Sequence, residues 1–227
     1  MKKITIVTLC FTAVGCAQLQ SDFRDAAIAA DASAAAGGEN CRTYPTGYST
    51  GGNTYTCTWN GGSLQFVCSG PSNVQTLQYP SLKKFIEEPK IVARFFLTSI
   101  TISGSGASTS TFSYDGSDRL IGISIAASGI TSLTYAYSTF DGNGRPISGL
   151  YNLSAAGFTC VNANVTRNYN DSARTMTESI SGGTGILCTA SSSTSTYDAE
   201  TGLDVSIVAS PGGTFTKSIT GRNRICE

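Results

Sequence analysis

The chain has 227 residues, 15 basic and 15 acidic side chains, and no histidine. The missing imidazole excludes Ser-His-Asp and Cys-His nucleophile activation, His-ligated zinc, and the commonest general base near neutral pH. Only 13% of the residues are charged and no basic block stands out beyond Lys83-Lys84, so the clustered cations that attract nucleic acid are missing.

Met1-Lys2-Lys3 precedes an uncharged apolar stretch, Ile4 to Val14, which ends in Gly15-Cys16-Ala17. A charged start, a short apolar core and a small-residue end are the parts of an export signal. The core has about 11 residues, whereas a spanning helix needs roughly 20, so residues 1–15 read as a cleaved signal peptide. Their removal takes away Lys2 and Lys3 and leaves 13 basic against 15 acidic residues, a net charge of −2.

Ala13-Val14-Gly15-Cys16 resembles the lipobox of bacterial lipoproteins, with Gly15 and Cys16 in the positions the family requires. The resemblance implies that the Cys16 sulfur takes a diacylglycerol, that cleavage makes Cys16 the first residue, and that its amine takes a further chain such as palmitate. Two or more acyl chains hold a protein stably on a bilayer where one does not. In that family an Asp after the Cys retains the protein at the inner membrane. Ala17 stands there, which implies the outer membrane, with either face open. The alternative is simple secretion with cleavage after Ala17 and loss of Cys16.

Residues 16–40 form an Ala-rich island around Ala26 to Gly38 with almost nothing to bury. A short helix without a packing face is marginal in water, so the segment reads as a flexible tether. Residues 41–227 are long enough for one domain with one core. They carry Cys41, Cys57, Cys68, Cys160, Cys188 and Cys226. An even set in an exported chain points to disulfides. No C-x-x-C occurs and the spacings are irregular, which disfavours a metal site.

Thr54 to Trp59 and Ser63 to Cys68 flank Asn60-Gly61-Gly62, a hairpin signal. Cys57 and Cys68 lie on opposite arms and could staple it, with Cys41 competing for either. Pro80 to Pro89 follows: Ser81 can cap a short helix and Pro89 can end it. Leu82, Phe85 and Ile86 share one helical face, as expected of a plug over the end of a sheet. From Ile91 onward apolar and polar residues alternate. Ile121, Ile123 and Ile125 are expected on one buried face, and so are Leu133, Tyr135 and Tyr137, and Val205, Ile207 and Ala209.

A degenerate repeat runs through this second part. Its copies are Tyr114-Asp115-Gly116-Ser117-Asp118-Arg119-Leu120, Phe140-Asp141-Gly142-Asn143-Gly144-Arg145-Pro146, Tyr169-Asn170-Asp171-Ser172-Ala173-Arg174-Thr175 and Tyr197-Asp198-Ala199-Glu200-Thr201-Gly202-Leu203. Each reads as a turn: an inward aromatic, an Asp or Asn that accepts backbone hydrogen bonds, a Gly or Asn at positive φ, and an Arg that opens the next strand. Second turns lie between copies, at Ala127-Ser128-Gly129, Ala155-Ala156-Gly157, Gly182 to Gly185 and Pro211-Gly212-Gly213. Each period is therefore two strands. The fold class expected is mainly β, an antiparallel meander of repeated two-strand units with one short helix; whether it closes is left open.

From about residue 95 these units resemble the YD (RHS-type) repeats of bacterial surface and secreted proteins. The resemblance implies a β-meander. Its copies are too few for the cargo-enclosing shells that long arrays build. Cys160 and Cys188 each stand nine residues before their aromatic, which suggests a pair. Equivalent strands, however, are next-nearest neighbours about 9–10 Å apart, and a bridge needs Cα atoms within about 7 Å. The sheet must bend there, or both residues must lie in adjacent turns.

The function expected is that of a non-enzymatic lipoprotein of the cell envelope, structural or interaction-mediating. It would have no cofactor and no metal, with the membrane as one partner through its anchor and a glycan or envelope protein as another. A carbohydrate- or ligand-binding module is the alternative, with Tyr44, Tyr48, Tyr55, Trp59 and Tyr151 as candidate stacking faces. A secreted hydrolase is the third reading. Its carboxylates would come from Asp115, Asp118, Asp141, Asp171, Asp198, Glu200 and Asp204, but the turn pattern accounts for most of these.

Overall fold

The computed structural model describes residues 40–87 and 96–227. The signal, Cys16, the Ala-rich segment and Pro89 lie outside the described residues. The fold opens with β1 (Cys41–Thr50), β2 (Asn53–Asn60), β3 (Gln65–Ser69) and β4 (Asn73–Gln78), followed by helix α1 (Leu82–Glu87). Then come β5 (Ser99–Gly104), β6 (Ser108–Tyr114), β7 (Leu120–Ala127), β8 (Ile130–Phe140), β9 (Pro146–Ala155) and β10 (Phe158–Asn170). The last strands are β11 (Thr175–Ser181), β12 (Ser191–Tyr197), β13 (Asp204–Ser210), β14 (Thr214–Thr216) and β15 (Ser218–Cys226).

From β1 to β14 each strand pairs antiparallel with the next, the expected meander. The meander also closes. The two ends of the strand order are β14 and β15, which only Lys217 separates in sequence. This last run bonds to β13 through Ile207↔Phe215 and to β1 through Cys41↔Cys226 and Ser49↔Ser218. The Thr50 hydroxyl donates to the Thr216 carbonyl across the same seam. The short pairing of β14 with β13 joins the two ends of the sheet there, while β15 pairs along its length with β1.

Alternation puts one side chain in two inside. Tyr55 and Cys57 on β2, Phe66 and Cys68 on β3, Ile100 and Ile102 on β5, and Met176 and Ile180 on β11 belong to one buried cluster. Helix α1 fills one end of it. Ser81 caps the helix, accepting from the Lys84 N–H at 3.1 Å. Phe85 and Ile86 are buried, Phe85 stacks on Trp59 with centroids 4.0 Å apart, and Tyr79 meets it edge-on. Arg42 lies over the Phe85 ring at 4.1 Å and donates to the Phe85 carbonyl, so an orphan carbonyl of this short helix is satisfied.

The six cysteines form three bridges: Cys57–Cys68, Cys160–Cys188 and Cys41–Cys226. The hairpin register makes Cys57 and Cys68 direct partners. The distance objection to Cys160–Cys188 is met because Cys188 is on no strand. The segment after β11 folds back along β10, with Val161 and Thr184 exchanging backbone bonds and the Leu187 N–H reaching the Thr159 carbonyl.

Two local expectations are corrected. Ile121 does not share the buried face with Ile123 and Ile125; it is exposed, and Leu120 is buried instead. The register shifts between Ser113 and Tyr114, and this bulge moves Ile121 outward. The expected Gly at positive φ is found in the second repeat turn, at Gly144, but in the first turn the position belongs to Asp118. The Asp118 N–H donates to the Asp115 carbonyl, and the Asp115 N–H to the Arg119 carbonyl. That is a type I turn closed by a left-handed residue, the common three-residue hairpin. The left-handed position in the later copies falls on Arg174 and Gly202.

Candidate functional site

Antiparallel order sends alternate turns to opposite rims. The β2–β3 turn, helix α1, the four repeat turns, Cys41 and Cys226 share one rim. The turn residues Tyr114, Asp115, Phe140, Asp141, Tyr169, Asn170, Tyr197 and Asp198 are thereby brought to one end of the fold. Cys16, the expected lipid-attachment residue, lies outside the described residues.

Each turn is organised by its own acceptor. Asp115 Oδ1 accepts from the Ser117 and Arg119 N–H groups, and Asp141 Oδ1 from those of Asn143 and Arg145. Asn170 Oδ1 accepts from Ala173, and Asp198 Oδ1 from Glu200 and Thr201. The aromatics lean on the preceding unit: the Tyr114 hydroxyl donates to the Leu97 carbonyl, and the Tyr169 hydroxyl to that of Pro146.

Cations then join one turn to the next. Lys84 bridges α1 to Asp118 at 2.6 Å. Arg119 pairs with Asp115 and lies over the Phe140 ring at 4.7 Å. Arg145 repeats the arrangement one unit on, pairing with Asp141, lying over Tyr169 at 4.3 Å and reaching Asp171. Arg222 on β15 closes the series on Asp198 at 3.1 Å and Glu200 at 2.9 Å.

These contacts set the acidities. The Arg119 backbone N–H, joined by its side chain, holds Asp115 below the usual carboxylate range. At Asp141 partial burial pushes upward, but the hydrogen bonds and charge of Arg145 outweigh it and the pKa is lowered. At Asp198 burial is likewise outweighed, here by Thr201, Glu200 and Arg222. A carboxyl serving as a general acid needs the opposite shift, upward toward the operating pH. Asp115, Asp141 and Asp198 are ionised and accept hydrogen bonds from their own turns. Asp204 is buried and pairs with Lys217 at 3.3 Å.

Tyr44, Tyr48 and Tyr55 are buried. Tyr48 stacks on Tyr55 at 4.8 Å, Tyr44 meets Phe66 edge-on, and Tyr151 meets Tyr135. Trp59 covers α1. These rings pack on one another in the interior. The sequence reading missed Arg42 as the helix anchor and the buried pair Arg167–Glu178, 2.8 Å apart, with Arg167 also over Tyr137. Burial disfavours the Arg167 charge, but Tyr137 and Glu178 beside it hold the guanidinium in its charged form. The one available signal was position: Arg167 and Glu178 occupy inward places in alternating strands.

No protein-family model matches the chain, and no curated protein proves similar to it.

Proposed function

We propose that this chain is an exported bacterial lipoprotein, anchored at the outer membrane through a diacylated Cys16, with a non-enzymatic structural or interaction role in the cell envelope. The observation that carries the reading is the pairing of all six cysteines after Cys16. Such a set of bridges persists in an oxidising, extracytoplasmic compartment, and it leaves Cys16 as the cysteine available for acylation after the signal. The turns support the YD-like reading of the second part, since Asp115 and Asp141 make the same set of bonds one period apart. The non-enzymatic reading is supported by the lowered, fully engaged carboxylates of those turns.

Detergent phase partitioning tests the anchor. The wild-type protein is expected in the detergent phase and Cys16→Ala in the aqueous phase or uncleaved. Partitioning of the wild type into water would refute the lipoprotein reading.

A further inference from the structure

Charge is segregated along the axis of the closed sheet. Among the described residues, the exposed charged side chains belong to the rim of the repeat turns, while Arg167, Glu178, Asp204 and Lys217 face inward and are buried at their side chains. The turns of the opposite rim are Gly51-Gly52, Gly70-Pro71-Ser72, Ser105-Gly106-Ala107, Ser128-Gly129, Ala156-Gly157, residues 182–190 and Pro211-Gly212-Gly213. None of them holds an Asp, Glu, Lys or Arg. The same rim carries exposed apolar bulk: Ile186 is 72% and Phe158 49% exposed, with Val161 and Val208 on the strands that meet it. Ile186 and Phe158 are neighbours, because the Leu187 N–H bonds to the Thr159 carbonyl and the Cys160–Cys188 bridge pins this loop to β10. The apolar tip is thus held out by a covalent brace.

We propose that this neutral rim is a lipid-contacting surface that rests in the interfacial zone of a bilayer with Phe158 and Ile186 inserted. The inference rests on the anchoring of Cys16 proposed above. A rim without charge loses no ion hydration on entering that zone, whereas burying charges there is costly. The polar groups of this rim are uncharged hydroxyls, among them Ser72, Ser105 and Ser128, which hydrogen-bond in the interfacial zone at far less cost than an ion. Reach is sufficient although Cys41 lies on the opposite rim. The 24 residues from 17 to 40 extend to at most about 80 Å, while strands of seven to ten residues make a wall roughly 25–30 Å tall. The anchored domain can therefore lie neutral rim down, with its ion-paired rim in water.

The test uses the acylated full chain in phosphatidylcholine vesicles with and without brominated acyl chains. The chain has one tryptophan, Trp59 near the charged rim, so the wild type gives the baseline and Phe158→Trp or Ile186→Trp adds a reporter at the neutral rim. The added indole is expected to be quenched at least threefold more strongly than Trp59, with no dependence on salt, and Phe158→Asp combined with Ile186→Trp should abolish that quenching while the chain still floats with the vesicles. Equal quenching of both indoles on a floating chain would overturn the proposal. An added indole that shifts to the blue only with rising protein density, without quenching, would put a second copy on the rim and would also overturn it. A wild type that does not float overturns anchor and rim together. An unacylated wild type that floats, and that Phe158→Asp releases, keeps the rim and overturns the anchor.

Discussion

The Arg145 guanidinium sits 4.3 Å above the Tyr169 ring while it pairs with Asp141 in its own turn and Asp171 in the next. Its side chain is only 7% exposed, whereas Arg119 in the equivalent place is 44% exposed. The two arginines share a motif and differ in burial, so their removal should differ in cost. Breaking exposed pairs costs little, about 1 kcal/mol or less, whereas removing a buried guanidinium also loses its packing over the ring and its charge-assisted hydrogen bonds, about 2 kcal/mol. Urea denaturation should show Arg145→Ala losing clearly more stability than Arg119→Ala. Equal losses would refute the unequal burial. Arg145→Lys should recover only part, because a lysine cannot make the forked contact.

The left-handed residue of each turn gives a second prediction. Arg174 holds φ near 52° with a β-substituted side chain, a conformation that costs a non-glycine residue roughly 1–2 kcal/mol. Glycine offsets part of this through its greater unfolded-state freedom. Arg174→Gly should therefore raise stability by up to about 1 kcal/mol, and Gly144→Ala, at φ 76°, should lower it by about 1 kcal/mol. Thermal melts read both. A destabilised Arg174→Gly would mean its side chain matters more than its backbone.

Loop length ranks the disulfides. Cys41–Cys226 joins residues 185 apart, and Cys57–Cys68 residues 11 apart. Chain-entropy arguments give about 5 kcal/mol for the first and about 3 kcal/mol for the second. The double variant Cys41→Ser, Cys226→Ser should lose more stability than Cys57→Ser, Cys68→Ser. The first also frees the β1–β15 seam that closes the sheet, so hydrogen exchange should rise first along β15.

Acid should weaken the repeat turns. The pKa values of Asp115, Asp141 and Asp198 are lowered in the folded state. Groups depressed on folding contribute stability above their unfolded pKa and lose it as pH falls through the folded one. The denaturation midpoint should hold from pH 7 to about 5 and fall below about 4. Asp141→Asn keeps the Oδ1 acceptor but loses the charge pair, so its pH profile should be flatter than that of the wild type. An unchanged slope would remove Asp141 from the acid-sensitive set.

What was legible in the sequence was local. Asn60-Gly61-Gly62 marked the hairpin but not its register: the turn runs from Gly61 to Leu64, with Leu64 at positive φ, and that longer turn makes Cys57 and Cys68 partners. Ser81 and the Leu82, Phe85, Ile86 spacing marked the helix. The repeat placed the turns because Asp115 and Asp141 act on backbone within four residues. The closure through β1 and β15 was not legible: Cys41↔Cys226 is a pairing across the whole domain, and neither strand carries a local sign of its partner. The bulge that turns Ile121 outward was hidden for a related reason, since alternation assumes an unbroken register. The gathering of charge at one rim required strand direction, which only the paired sheet supplies.

The central claim is an exported chain that begins at an acylated Cys16 and is held by three bridges, and intact mass spectrometry of the membrane-extracted protein tests it most directly. The account predicts a species that starts at Cys16, carries the mass of its acyl chains, and gains six hydrogens on reduction, two for each of the three bridges. An unacylated species that starts after Ala17, or one unchanged by reduction, would contradict it.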